Sequence, residues 1–450
     1  MKIKDYSNLC ELTDCSTQEL LQVGELLRIA DEGRFFSPAF KSNRWDGYHH
    51  FYNRKHHTFP AGLLSFVQRR FPYASYSDCA TQIPVLNKGY EKLKTLTPRE
   101  DQLEVIKKAL ESRRGIIQAP TSFGKTVCLA MLSKAISGDI LIVTHTRTLL
   151  HQTAKVLEKE LGEKIGIIGD GIAQKERVTI GLVRSLENVD MTHVNAILVD
   201  ECHRCSADGL YKLLLSIPAY YRYGVSADPL DEQTVKANSS FKKFRIIACF
   251  GPIVALSTMA DAKERGIIAT PIITMTKIAD PYKGLFAESE YAEAYDKLTV
   301  ENVNLEAKIV SICNTHSGEQ VMILLKRLAH GQTLATKIPN SRFLSGEDDS
   351  ADITSGIKDF KKGKFSVLIG SDIFKEGVDI PEIDVLINAG GDVAATKQRL
   401  GRGLRKRADK ESIQVYDFLI TGSKHTEKHS KERLRVYLSE GHEVNGFKSA

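Results

Sequence analysis

Short, unbroken apolar runs alternate with stretches of helical period through most of the chain. GIIQA (115–119), ILIVTH (140–145), VTIGLV (178–183), AILVDE (196–201), RYGVSA (222–227) and RIIACF (245–250) form a first series. VMILL (321–325), SVLIGS (366–371), DVLINAG (384–390) and IQVYDF (413–418) form a second. Aliphatic and β-branched runs without polar alternation suit strands buried on both faces, and the helices between them supply the cover. Each series therefore predicts a doubly wound parallel sheet, and the fold class is α/β with two such domains in tandem.

The leading segment has a different pattern. From Ser16 the text STQELLQVGELLRIADEG places apolar residues at Leu20, Val23, Leu27 and Ala30, with a capping box from Ser16 to Glu19 and Gly33 beyond the end; this predicts an amphipathic helix. Short extended runs then alternate with turn signals as far as about residue 90, so a small α+β accessory domain precedes the two sheets. Lysine-rich text from 87 to 96 marks a boundary, and TPRE (97–100) predicts a helix with Pro98 at its first position. The division expected is 1–92 for an accessory domain, 93–275 for a first α/β domain and 276–450 for a second, C-terminal one. The connection between the sheets, about 251 to 304, reads as structured, not as a tether.

Composition excludes several classes. At 450 residues, 42% hydrophobic and 26% charged, the chain is neither disordered nor fibrous. No apolar run is long enough to span a bilayer and the opening residues lack a signal-peptide core; a cytoplasmic location is expected, with no membrane partner. Eight scattered cysteines suit reduced, mostly buried thiols. Cys202 and Cys205 form a C-x-x-C that lacks a second ligand pair at zinc spacing. The net charge of +6 is mild, but between Arg34 and Pro72 seven basic residues face one acid, Asp46. Lys397, Arg399, Arg402, Arg405, Lys406 and Arg407 form a second cluster without acids. Both point to polyanion contact or phosphate chemistry.

The chemistry is written at two strand ends. GIIQ runs into APTSFGKT (119–126) and then into a helical stretch, nearly a P-loop, with Ala119 where glycine is usual and Gly124, Lys125 and Thr126 intact. Backbone N–H groups of such a loop, with Thr121, Ser122 and Phe123 in it, hold phosphate oxygens; Lys125 neutralises their charge and the Thr126 hydroxyl ligates Mg²⁺. A surface turn before a helix is the bland alternative, and the strand before the loop argues against it. AILVDECH (196–203) supplies the second acid at the end of a buried run: Asp200 for Mg²⁺ and Glu201 to orient and deprotonate a water.

APTSFGKT and DECH together resemble the superfamily 2 helicases and translocases of the DExH type, and further motifs follow in that family's order. Arg99 and Gln102 in LTPREDQ look like its adenine-reading element; THTRTLLHQ (144–152), with Thr146 and Arg147, and VTIGLVRSL (178–186), with Ser185, are similar to its motifs Ia and Ib, which face the nucleic-acid backbone. GVSADP (224–229) sits where the coupling motif is expected, with Ser226 and an unusual Asp228, and His203 beside it in DECH. GSDIFKEGVDIP (370–381) resembles motif V, with Glu376, Gly377 and Asp379 near the ribose; QRLGRGLR (398–405) resembles motif VI, with Gln398 in coupling and Arg402 and Arg405 as arginine fingers. The resemblance, over about residues 95 to 420, implies two RecA-like domains, ATP and Mg²⁺. Cys202 then occupies the variable position of DExH and needs no metal.

The leading text FSPAFKSNRWDGYHHFYNRKHHTFPAGLL (36–64) is similar to the leading domain of the phage UvsW-like branch-migrating DNA helicases. That implies an ATP-dependent DNA helicase or translocase acting on forked or four-way DNA in recombination and fork repair, with Lys41, Arg44, Trp45, Arg54 and Lys55 as DNA contacts. Trp45 suits a small-domain core as well as a stacking platform. No obligate protein partner is evident. A restriction-type translocase subunit, an RNA helicase, or a nucleotide-gated sensor that grips nucleic acid without travelling remain as alternatives.

Overall fold

A computed structural model describes residues 1–120, 123–227, 229–230, 239–258, 261, 265, 269–371, 383–390 and 412–446. The chain divides into two compact units, Met1–Thr258 and Met259–Ala450.

The first unit is built on an eight-stranded sheet, ordered Ile172–Gln174, Ile165–Gly169, Val178–Leu182, Ile140–Thr144, Ala196–Asp200, Tyr221–Ser226, Arg114–Gln118, Ile253–Leu256. Every pairing is parallel except that of the first strand with its neighbour. The three central strands Ile140–Thr144, Ala196–Asp200 and Tyr221–Ser226 are buried at every position, as unalternating apolar runs require. In a parallel sheet the polar residues ending these runs gather at one edge, where an open α/β fold binds its ligands.

The leading segment forms a mixed four-stranded sheet, ordered Thr58–Pro60, Leu9–Thr13, Lys2–Asp5, Ser75–Asp78, beside a hairpin of Arg28–Ala30 and Tyr48–His50. The helix Thr17–Leu26 starts at the expected capping box, with Ser16 and Glu19 bonded reciprocally. This sheet is docked firmly on the first unit. Buried Asp5 accepts from Arg113 at 3.2 Å and Arg114 at 2.5 Å, and Arg114 also donates to the Ala61 carbonyl at 2.7 Å. A Cβ at Gly62 would lie 2.1 Å from the Ile247 carbonyl oxygen, so the two backbones touch. The division expected at residue 92 is therefore not a division between compact units: residues 1–258 cohere as one.

Three further expectations are corrected. RIIACF is not a strand but the end of the helix Ser239–Phe250. Ile246, Cys249 and Phe250, at i, i+3 and i+4, pack into the core beside the main sheet, while Phe244 and Ala248, also i and i+4, pack against the leading segment, and a six-residue apolar run does not reveal that period. The helix expected from TPRE begins later, at Glu100, with Arg99 as cap. The backbone N–H of Arg99 donates to the Gln102 side chain at 2.9 Å, while that same side chain donates to the Phe123 carbonyl at 2.7 Å, so a tertiary contact sets the helix start. The boundary expected at 275 falls inside the strand Thr270–Ile278, which pairs residue for residue with Ser412–Ile420 and so belongs to the second unit.

That second unit holds seven strands, all parallel: Ser341–Leu344, Val367–Gly370, Val321–Leu324, Val385–Asn388, Ser412–Ile420, Thr270–Ile278, Val444–Asn445. Among the described residues no helix is long and apolar enough to cross a membrane.

Candidate active site

The strand Arg114–Gln118 leads through Ala119 and Pro120 to Phe123 and Gly124, and the helix Lys125–Ala135 follows. Gly124 sits at φ +85°, a left-handed turn that aims the helix N-terminus back over the strand ends. Among the described residues no side chain caps that helix. An uncapped helix start after a tight glycine turn is a ready anion site.

Lys125 is buried and its Nζ donates to Glu201 Oε1 at 2.5 Å. Glu201 itself is held at φ +52°, a conformation that non-glycine residues rarely adopt, directly after the strand Ala196–Asp200. Its second carboxylate oxygen lies 3.4 Å from His203 Nδ1 and 3.5 Å from Ser226 Oγ, and His203 and Ser226 are 3.0 Å apart. Thus DECH and the strand end at Ser226 touch through Glu201, His203 and Ser226. Burial raises the Glu201 carboxyl, but the Lys125 ammonium and then His203 hold it well below the usual carboxylate range. Burial wins at Asp200, whose carboxyl is pushed up to about 6 against the pull of Lys125. Asp200 Oδ1 accepts from the Glu201 backbone N–H at 3.0 Å.

Arg99 and Gln102 converge on the phosphate loop. Both donate to the Phe123 carbonyl, at 2.9 and 2.7 Å, and Arg99 pairs with Asp101 at 3.0 Å. One donor group of each braces the loop. Cys202 is packed against Gly224, where a Cβ would meet it at 2.7 Å, and burial raises its thiol pKa well above the ordinary value. Among the described residues no group of three or more His, Cys, Asp or Glu could hold a metal. Asp200 and Thr126 carry oxygens of the kind Mg²⁺ takes, and that ion uses one or two protein oxygens and leaves the rest to phosphate and water.

The residues expected to face nucleic acid follow neighbouring strands. Thr146 caps the helix Arg147–Leu161, accepting from the Leu149 N–H at 3.2 Å. Arg147 is 77% exposed and only 3.4 Å from Asp170, and Ser185 is exposed after the strand Val178–Leu182. In the leading segment Lys41, Arg44, Arg54 and Lys55 are exposed, and among the described residues none of them has an ion-pair partner. The hairpin register, Ala30 opposite Tyr48 and Arg28 opposite His50, sets Lys41 and Arg44 beyond one end and Arg54 and Lys55 beyond the other. Trp45 is half-buried, with its indole N–H given to the Tyr48 carbonyl at 3.0 Å. Thr121, Ser122, Asp228, Glu376, Gly377, Asp379, Gln398, Arg402 and Arg405 lie outside the described residues.

Residues 95–231 match the family "Type III restriction enzyme, res subunit", and residues 304–407 match "Helicase conserved C-terminal domain". The ATP-dependent DNA helicase uvsW of Enterobacteria phage T4 is 21% identical over 478 residues, covering 95% of this chain and 92% of its own. The chain belongs to the superfamily 2 helicases. The DNA 3'-5' translocase XPB2 of Sulfurisphaera tokodaii, 23% identical, matches 70% of this superfamily 2 chain and 80% of its own length. The chain spans little more than half of two other relatives, from Halobacterium salinarum and Haloarcula marismortui, at 55% each. The solved structure of S. cerevisiae Dbp5 bound to RNA and ADP BeF3 covers 78% of this chain and 90% of that one at 16% identity, with a TM-score of 0.55. Its likeness carries the fold, two RecA-like domains.

One residue of this superfamily 2 site was not singled out from the sequence. His145 ends the run ILIVTH, and its Nε2 is buried without a hydrogen-bond partner. Burial, then Arg204 and His203, push its pKa down to about 4, so it stands neutral beside Glu201. The only signal was a polar residue closing a buried strand, and Thr144 beside it gives the same signal.

Proposed function

We propose that the chain is an ATP-dependent DNA helicase or translocase that unwinds or branch-migrates forked and four-way DNA, in recombination and replication-fork repair. The observation that carries the reading is the buried Lys125–Glu201 pair at the ends of two parallel strands, in contact with His203 and Ser226. Lys125 is the natural counter-charge for the β and γ phosphates. When it turns to them it leaves Glu201, and the depressing influence on that buried carboxylate goes with it. Glu201 then becomes a stronger base at the moment a water must lose its proton. His203 and Ser226 feel the same change, which is how phosphate state would reach the nucleic-acid surfaces. Thr126 and Asp200 would hold Mg²⁺, which when bound offsets phosphate charge. Arg402 and Arg405 would meet the charge that grows on the transferred group.

Branched DNA as substrate is supported by the likeness to the phage relative, which extends through the leading segment, and by the exposed cations there. Energetics agree. Opening duplex costs about 1.4 kcal/mol per step, whereas exchange that forms one pair for each pair lost is nearly balanced. The test is ATP turnover measured with single-stranded DNA, duplex, fork, four-way junction and RNA. Greatest stimulation by fork or junction, with ATP-dependent strand movement, is expected; stimulation by RNA alone would overturn the DNA assignment.

A further inference from the structure

We propose that Phe36 is a stacking platform for an unpaired base at a DNA branch point, with Lys41 and Arg44 holding the flanking phosphates. This rests on the reading that the chain acts on branched DNA, and it names the residue that engages the branch. The loop from 31 to 47 joins the two strands of the leading hairpin. It holds a 3₁₀ turn, Arg34–Phe36, and a short helix, Pro38–Lys41. Phe35 is tied down: Arg34 lies over its ring at 4.7 Å and Phe40 meets its edge at 5.5 Å. Phe36, the next residue, is 84% exposed, and among the described residues no ring or cation contact reaches it.

The surroundings select an anionic partner. All three acids of the loop are engaged: Asp31 with His49 at 2.8 Å, Asp46 with His50 at 2.7 Å, and Glu32 with the Ser240 N–H at 3.4 Å. Lys41 and Arg44 are exposed, and among the described residues neither has an ion-pair partner. An exposed ring beside free cations suits a nucleotide, whose base offers a π-face and whose phosphate a charge. A protein partner would instead call for an apolar patch wider than Phe36 and its 60% exposed neighbour Phe35, and the half-buried Trp45 is turned inward. The loop is also rigidly carried. His49 stacks on Phe241 at 3.6 Å, and Asp5 fixes the leading sheet to Arg113 and Arg114, so a base held here would move with the first unit.

The test uses the full chain and a forked DNA with 2-aminopurine at the first unpaired position, read by fluorescence at about 0.15 M salt, where exposed charges are screened beyond roughly 8 Å. Phe36→Ala should abolish the protein-induced fluorescence change and weaken fork binding roughly 5- to 100-fold, with unchanged circular dichroism. Phe36→Trp should restore both. Lys41→Ala with Arg44→Ala should weaken binding yet leave the fluorescence change intact at saturating protein. A Phe36→Ala protein with the parental signal and affinity overturns the proposal. So does a change in sedimentation without a change in fluorescence, which would mean that a second copy covers the ring. If the parent shows the Phe36-dependent signal but moves no junction with ATP, the stacking site stands and the branch-migration reading fails.

Discussion

Two ion pairs, one in each unit, are both largely withdrawn from water, Arg433–Asp417 more fully than Lys125–Glu201, and differ in their partners. In the second unit Arg433 and Asp417 are 3% and 0% exposed. Asp417 accepts from Arg433 through both oxygens, from the Phe418 N–H at 2.6 Å, from Tyr437 at 2.6 Å and from Asn388 at 3.0 Å. Arg433 donates further to the Phe418 carbonyl at 2.7 Å. Several fixed donors thus share that one carboxylate. Lys125 and Glu201 in the first unit share one short contact, on a residue with strained φ, with two weaker neighbours at 3.4 and 3.5 Å. A buried charge shared among several fixed partners is part of the framework; one whose short contact a phosphate can replace is open to a ligand.

The largest effects should break the replaceable pair. Lys125→Ala removes the phosphate counter-charge, so nucleotide affinity and turnover should both fall, turnover by about 10³ or more in a steady-state ATPase assay. The stability of the first unit should change by about 1 kcal/mol or less for Glu201→Gln, because the amide still accepts from Lys125. The framework pair should behave in the opposite way. Arg433→Met leaves Asp417 buried and uncompensated, at a cost of about 3–5 kcal/mol in the second unit. Hydrogen exchange across Ser412–Ile420 would register the loss, while nucleotide binding stays parental. Equal stability losses at both pairs would remove the distinction.

A smaller effect concerns His330, a buried group with neither pairing nor exchange. Among the described residues neither of its buried ring nitrogens has a hydrogen-bond partner, and burial pushes its pKa down to about 4, below the unfolded value of 6.5. Between those values the unfolded chain binds the extra proton. The contribution is thus present above pH 6.5 and lost as pH falls toward 4, amounting to about 3 kcal/mol. His330→Met should flatten the acid side of the stability profile, measured by urea unfolding from pH 7.5 to 4.5. The smallest effect is expected at the open cations. Replacing Lys41, Arg44, Arg54 and Lys55 by Ala should lower the slope of log affinity against log salt by about 4 if all four meet phosphates. It should fall by only about 2 if one end of the hairpin alone does so.

How much could be read in advance follows the range of each interaction. The phosphate loop, the DECH strand end and most strands were legible, because each is a local run with its own period or spacing. RIIACF was misread because its helical face shows only against Cys202–Ser206 and the leading segment, contacts far away in sequence. The late helix start at Glu100 depends on Gln102 reaching Phe123, which no local pattern announces. Arg433 and Asp417 lie on a helix and a strand, and only the folded register brings Asn388 opposite Asp417. The set of fixed partners, which separates the two pairs, is never a sequence property.

The most direct measurement compares nucleotide binding with single-turnover hydrolysis in Glu201→Gln. Exchange of Lys125 from Glu201 to phosphate predicts ATP binding at least as tight as in the parent, with hydrolysis slowed by about 10² to 10⁴. Hydrolysis at the parental rate, or loss of ATP binding together with turnover, would contradict it.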